Sequence, residues 1–240
     1  MVSVIAEEIL LILATVPLVF LAGWSTGQKA TVLVGLFLGL LFIDQILGRL
    51  PYLLNLSLPG TSWNWAGKIL SLVWPILFVW LSSRFDRKHI GLTFQHRKET
   101  LLPASILTVS LIALAGVMNL VFAEGSPSDM ETIAFQATMP GLAEELVYRG
   151  IYLAILDRAY EPDTEILGAP VGWGVLITSV VFGFGHGLSL DGWTPTLALF
   201  PFASSVVLGT LFAWLRERTE SLVFPVVAHN GFNVIQYLVA

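Results

Sequence analysis

Runs of apolar residues long enough to cross a ~30 Å hydrocarbon layer as helices follow one another almost without interruption in this chain. They fall near residues 4–23, 30–48, 64–83, 101–123, 132–156, 171–189, 194–214 and 222–239. A segment inside lipid has to satisfy its own backbone hydrogen bonds, so repeated runs of this kind are read as helices packed on one another. The expectation is an all-α integral membrane protein of about eight transmembrane helices in one bundle, a single polytopic domain over residues 1–240. No stretch between the runs could enclose a core of its own. Only 12% of the residues are charged, against the roughly 25% of soluble domains, which excludes a soluble catalytic domain. The first run carries Glu7 and Glu8 and lacks a basic start, so it is expected to remain as a helix rather than leave as a signal peptide.

Loops placed alternately on two sides divide the cations unevenly. One side collects Lys29, Arg84, Arg87, Lys88, Arg97, Lys98, Arg158, Arg216 and Arg218; the other has Arg49 and Lys68. Cytoplasmic loops are enriched in Lys and Arg, so the first side is expected to be cytoplasmic, and the acidic linker at 123–131 to lie outside. With this balance, a multi-pass location in the cytoplasmic membrane of a prokaryote is expected. Membrane lipid is then the obligatory partner. A net charge of −5 without a dense basic patch argues against nucleic acid. The chain has no cysteine, which removes disulfides, thiol catalysis and zinc–thiolate sites.

An ionisable side chain within a span costs at least ~2.5–3.5 kcal/mol, so it needs a partner or a function. The fifth run holds Glu144, Glu145 and Arg149 in GLAEELVYRGIYL, the sixth holds His186 in VFGFGHGL, and the eighth holds His229, Asn230 and Asn233 in VVAHNGFNVI; Asp44 lies in the second. Glu145 and Arg149 are four apart and can pair on one helix face, with the carboxylate N-terminal to the cation. Glu144 is rotated by ~100° from Glu145 and is free to point into another cleft. His229 and Asn233 present imidazole and carboxamide side by side, while Asn230 faces elsewhere. Phe182 precedes His186 by one turn.

Such a set suits peptide hydrolysis, which needs a base for water and donors for a developing oxyanion. Glu144 can act as base, His186 can hold the water, and His229 with Asn233 can donate to the oxyanion. Alternatively, Glu144, His186 and His229 could bind a divalent metal such as zinc, leaving a position open for water. Both readings, one metal or none, stand at this stage.

The three motifs EExxxR (Glu144, Glu145, Arg149), FxxxH (Phe182, His186) and HxxxN (His229, Asn233) resemble, in order and spacing, those of the CPBP family of intramembrane endopeptidases, also called Abi or CAAX-prenyl-protease-like. The resemblance covers a protease core of about 130–240 and implies an eight-helix fold. It implies proteolysis in the membrane, with Glu144 and His186 activating water and His229 and Asn233 forming the oxyanion hole. Glu145, Arg149 and Phe182 are then supporting residues. The family has been described both as metalloproteases and as metal-free glutamate proteases. The expected partner is a membrane-anchored peptide or protein, prenylated or CAAX-like in some members. Combined with the loop charges, the motifs put the cavity mouth on the less basic side, away from cytoplasmic CAAX tails. HExxH, GxSG and GxGD signatures of other intramembrane proteases are absent. The competing readings are a silent scaffold or immunity protein and a proton-coupled transporter built on Glu144, Asp44 and the histidines.

Overall fold

The computed structural model describes residues 2–56, 58–122 and 129–238. Most of the acidic linker at 123–131 therefore lies outside the described residues. The helices are α1 (Val2–Thr26), α2 (Thr31–Leu53), α3 (Trp65–Leu81), α4 (Lys98–Phe122), α5 (Met130–Glu145), α6 (Leu153–Ala159), α7 (Trp173–Gly187), α8 (Leu199–Thr219) and α9 (Val223–Leu238). A π-helical segment, Leu146–Tyr152, joins α5 to α6, so the fifth apolar run is one rod with a widened turn in its middle. Four helices, α1 (from Ile5), α2, α4 and α8, are long and apolar enough to cross a membrane, and α3 and α7 are shorter apolar helices.

Two short antiparallel hairpins qualify the all-α expectation. Strands β1 (Thr164–Ile166) and β2 (Ala169–Val171) pair after α6, and β3 (Leu188–Asp191) and β4 (Thr194–Leu197) pair after α7. The second hairpin corrects a boundary: the seventh run begins at Leu199 rather than 194, because Thr194–Leu197 is extended and paired to Leu188–Asp191. Gly192, with φ of +62°, turns that hairpin in the left-handed region where glycine is strain-free. Trp193 accordingly lies at an exposed hairpin tip rather than at a helix end.

Burial is distributed as a lipid-facing bundle requires. Large apolar side chains such as Leu13, Phe20, Leu102, Leu120 and Phe122 point outward, whereas Glu8, Asp44, Glu145, Arg149 and His229 are buried. The main core gathers on Tyr148 and Tyr152 of the π-helical segment, which pack edge-to-face on each other, with Phe37 of α2 against Tyr152 and Phe182 of α7 against Tyr148.

Polar contacts identify the two ends of the bundle. At one end Arg49 of α2 pairs with Glu7 and Glu8 of α1, each at 2.6 Å. There too the Glu131 carboxylate at the start of α5 accepts from Ser62 N, Trp63 N and Trp65 Nε1 ahead of and within α3. Asn119 near the end of α4 donates to Gln236 O near the end of α9. At the opposite end Arg158 donates to Arg84 O, Arg216 to His89 O, and Arg218 to Gly168 O. The basic loops thus gather at one end, as the alternating arrangement of runs required. Outside the helices, Asp86 in that basic loop accepts from the backbone N–H groups of His89 and Lys88, which hold its carboxyl below the usual range.

Helix α5 contains Pro140, which has no N–H and disturbs the preceding turn. Asn230 of α9 repairs the break. Its Oδ1 accepts from Gly141 N at 2.7 Å and its Nδ2 donates to Thr138 O at 3.1 Å. Asn230 is thus a clamp between α5 and α9, and it fixes the height of Glu144 and Glu145 against His229. Replacing it with Ala leaves the buried Gly141 N–H without this acceptor, a loss of about 1–3 kcal/mol. A lower thermal midpoint of the Asn230→Ala protein in detergent is the expected reading.

Candidate active site

The three polar motifs converge. Glu144 and Glu145 end α5, Arg149 lies in the π-helical segment, Phe182 and His186 are in the last turns of α7, and His229 and Asn233 are one turn apart on α9. Glu145 is the fixed point of the group. Its Oε1 lies 2.7 Å from His229 Nδ1 and 3.3 Å from Arg149 Nη1, with both Glu145 and Arg149 fully buried. Because an ionised carboxylate only accepts, His229 Nδ1 carries the hydrogen, and its Nε2 is turned to Glu144, 3.9 Å from Oε2. The two adjacent glutamates therefore bracket one imidazole, with Glu145 behind it and Glu144 in front.

Phe182 earns its place by stacking. The Arg149 guanidinium carbon sits 4.4 Å from its ring centre, and the His186 ring 4.4 Å away on the same residue. A cation buried against an aromatic face gains attraction that water would weaken. Gly209 of α8 makes room, since a Cβ there would fall 2.8 Å from Arg149 Nη2. His186 Nδ1 donates to Phe182 O at 2.7 Å, which leaves Nε2 as the nitrogen free to meet a ligand. The Phe212 ring lies nearly parallel to His229, 5.1 Å between centres.

Several partners were not read from the sequence. Lys68, in the first turns of α3, forms an ion pair and hydrogen bond with Glu144 Oε1. It had been counted only as a loop charge, although it stands within the third apolar run, where the rule that flagged Glu144 applies equally. Asp44 accepts from Trp74 Nε1 at 2.7 Å, a pairing between neighbouring helices. Asn230 does face away from the groove that His229 and Asn233 line, and the partner it meets there is α5, in the clamp described above.

Two cavities meet at Glu144. A groove of about 680 Å³ runs among α5, α7, α8 and α9, with Phe135, Phe200, Leu208, Phe212 and Phe232 in its walls and His229 and Asn233 along it. A smaller chamber of about 220 Å³ lies towards α2 and α3, with Asp44, Gln45, Arg49 and Ser71 in its walls. Asn64, Lys68, Glu144, Phe182 and His186 border both. Glu144 Oε2 is buried and has no hydrogen-bond partner among the described residues.

Residues 126–235 match the family model described as Type II CAAX prenyl endopeptidase Rce1-like. This match, over just under half of the chain, makes the C-terminal segment similar to the CAAX-protease-like family. Comparison with characterised proteins and with solved structures gave no match. All seven motif residues of the CAAX-protease-like reading fall within the matched segment, whereas Lys68 and Asp44 come from helices before it. Among the described residues no three of His, Cys, Asp and Glu form a group that could hold an ion. Lys68 already occupies Glu144 Oε1, while Glu144 Oε2 and the Nε2 atoms of His186 and His229 are left open.

The buried pair gives a direct test. Glu145→Gln leaves Arg149 buried with an uncompensated charge, a loss of about 3–5 kcal/mol. Adding Arg149→Met removes the stranded charge at similar volume, and the thermal midpoint of the double variant is expected to recover most of the loss. A double variant as unstable as Glu145→Gln would show that the pair is not what the carboxylate supports.

Proposed function

We propose that this multi-pass membrane protein is an intramembrane endopeptidase that hydrolyses peptide bonds of membrane-associated substrates with a glutamate-activated water. The observation that carries the reading is the pairing of an unpartnered buried oxygen, Glu144 Oε2, with the free sides of two imidazoles at the edge of a large groove. Lys68 holds Oε1 and so turns Oε2 to the cavity. A water between Glu144 and His186 gives its proton to Oε2 while its oxygen bonds to the substrate carbonyl carbon. The carbonyl electron pair moves onto oxygen, where Asn233 and His229 Nε2 are the donors; His229 serves when both ring nitrogens carry hydrogen. The C–N bond then breaks, and the proton on Glu144 passes to the leaving amine. Glu145 and Arg149 act by orienting His229, and Phe182 by holding the Arg149 and His186 planes.

The aromatic and aliphatic walls of the groove favour a peptide that carries, or lies beside, an apolar chain, which includes prenylated and CAAX-like ends. A metal-free course is favoured because Lys68 already neutralises Glu144, and a dication on Oε2 would lie beside that ammonium group. All eight helical rods are taken to cross the membrane, with the groove opening at the end opposite the basic loops and hence outside the cytoplasm.

Cleavage of a quenched lipidated-peptide library by the detergent-purified protein is the measurement to make. Glu144→Gln is expected to lower kcat by at least ~10²-fold, the size of a lost general base. Chelator is expected to leave the wild-type rate unchanged; inhibition reversed by zinc would overturn the metal-free course. Orientation is checked separately by reporter fusions. A fusion in the loop at 84–97 is expected to report cytoplasm and one after Leu190 the opposite side, and the reverse pattern would place the groove at the cytoplasmic face.

A further inference from the structure

A hydrolase consumes one water in every turnover, and a lipid-bearing peptide lying in the groove covers the side from which His229 and Asn233 are reached. Water then has to arrive from elsewhere. The chamber on the other side of Glu144 has the right character. Its volume of about 220 Å³ is far above the ~10–15 Å³ that admits a single water. Its polar partners are the Asp44 carboxylate, fixed by Trp74 Nε1, the Ser71 hydroxyl, the Lys68 ammonium and the Glu144 carboxylate. Asp44 and Ser71 are buried at its depth, at 7% and 8% exposure. The Arg49 side chain is 42% exposed and lines the chamber but not the groove, so it marks a mouth at the end of the bundle, bordered on the α3 side by exposed Asn64, which the groove shares.

The walls of this mouth are built rather than incidental. Asn64 caps α3 by accepting from Gly67 N at 3.0 Å, and its Nδ2 donates to Gly48 O at 2.8 Å. Gly67 has no side chain because a Cβ there would collide with Gly48 O, so the α2 and α3 backbones touch directly below Asn64. Glu131 ties the residues preceding α3, and Trp65 within it, to α5. The chamber is therefore held open by fixed helices, with Glu144 and His186 on its inner wall.

We propose that the chamber is a dedicated water site, filled through the mouth between α2 and α3, which supplies the hydrolytic water to Glu144 while substrate occupies the groove. The inference rests on the endopeptidase reading above and adds a second entrance to it, on the Arg49 side of Asn64. Lys68 stands at the boundary, and its ion pair with Glu144 separates the wet side from the apolar side.

The absence of cysteine from the chain makes a reversible plug possible. Gly48 lines the chamber, and a Cβ there meets only Ser71 Oγ, at an ordinary 3.7 Å, so Gly48→Cys fits without collision. A small charged methanethiosulfonate is then added. The thiolate displaces sulfinate from it, a mixed disulfide forms, and dithiothreitol later removes the group. The expected result is complete labelling, a fall in kcat of about tenfold or more with KM little changed, and full recovery on reduction. Labelling without loss of kcat, or a thiol that never reacts, would overturn the proposal. If Gly48→Cys lowers the melting temperature so far that the protein is lost, Gln45→Cys, also on the chamber wall and one turn earlier in α2, carries the same test. A wild-type protein that cleaves nothing defeats the endopeptidase reading, whereas the labelling reaction still reports whether the chamber is wet.

Discussion

The structure turns on the expense of a charge placed where lipid or protein replaces water. Glu145 is completely buried, and a buried carboxylate is tolerated only with close, well-directed partners. It has two: Arg149, from its own rod, and His229, from α9. The first makes the carboxylate tolerable inside the fifth rod. The second forces α9 to lie against α5 at one height, and with it come Asn233 on the groove and Asn230 on the Pro140 break. Phe182 roofs the guanidinium and thereby fixes the turn of α7 that carries His186. One ionic interaction, with the packing that protects it, thus brings residues from three rods to a common point.

Much of this was legible in the chain because lipid makes polar residues conspicuous. The runs of apolar residues gave the rods to within a few positions, and the spacing of Glu145 and Arg149 gave their pairing. What remained hidden followed from partners far apart in sequence. Lys68 and Glu144 are separated by 76 positions, and nothing local distinguishes a lysine that reaches inward from one that ends in the interface. The direction of Asn230 follows from helical spacing, but its task, accepting from Gly141 N, depends on where Pro140 falls in another helix. The π-helical segment was invisible to a reading based on a period of 3.6, since Leu146–Tyr152 is apolar enough to suit either winding. The β3–β4 hairpin was absorbed into the neighbouring runs because Leu188, Leu190 and Leu197 are as apolar as helical residues.

The electrostatic plan of the interior extends beyond the motif residues. Glu7 and Glu8 with Arg49, Asp44 with Trp74, Lys68 with Glu144, and Glu145 with Arg149 and His229 form a belt of opposite charges and dipoles through the bundle. Its members before residue 126 lie outside the segment that matches the family. The N-terminal helices are therefore not mere lipid anchors for a C-terminal core. They provide the cation that holds the front glutamate and the polar wall opposite it.

The belt also imposes an order on assembly as the chain enters the membrane from its N-terminus. Arg49 finds Glu7 and Glu8 as soon as α1 and α2 meet, so the first hairpin of helices already holds its cation paired. Lys68 makes no ion pair until α5 brings Glu144, and Glu145, although matched at once by Arg149, has no imidazole until α9 arrives. The grouping of Glu145 with Arg149 and His229 is consequently incomplete until α9 has docked. A nascent protein that has not yet placed α9 holds both glutamates without the imidazole that stands between them.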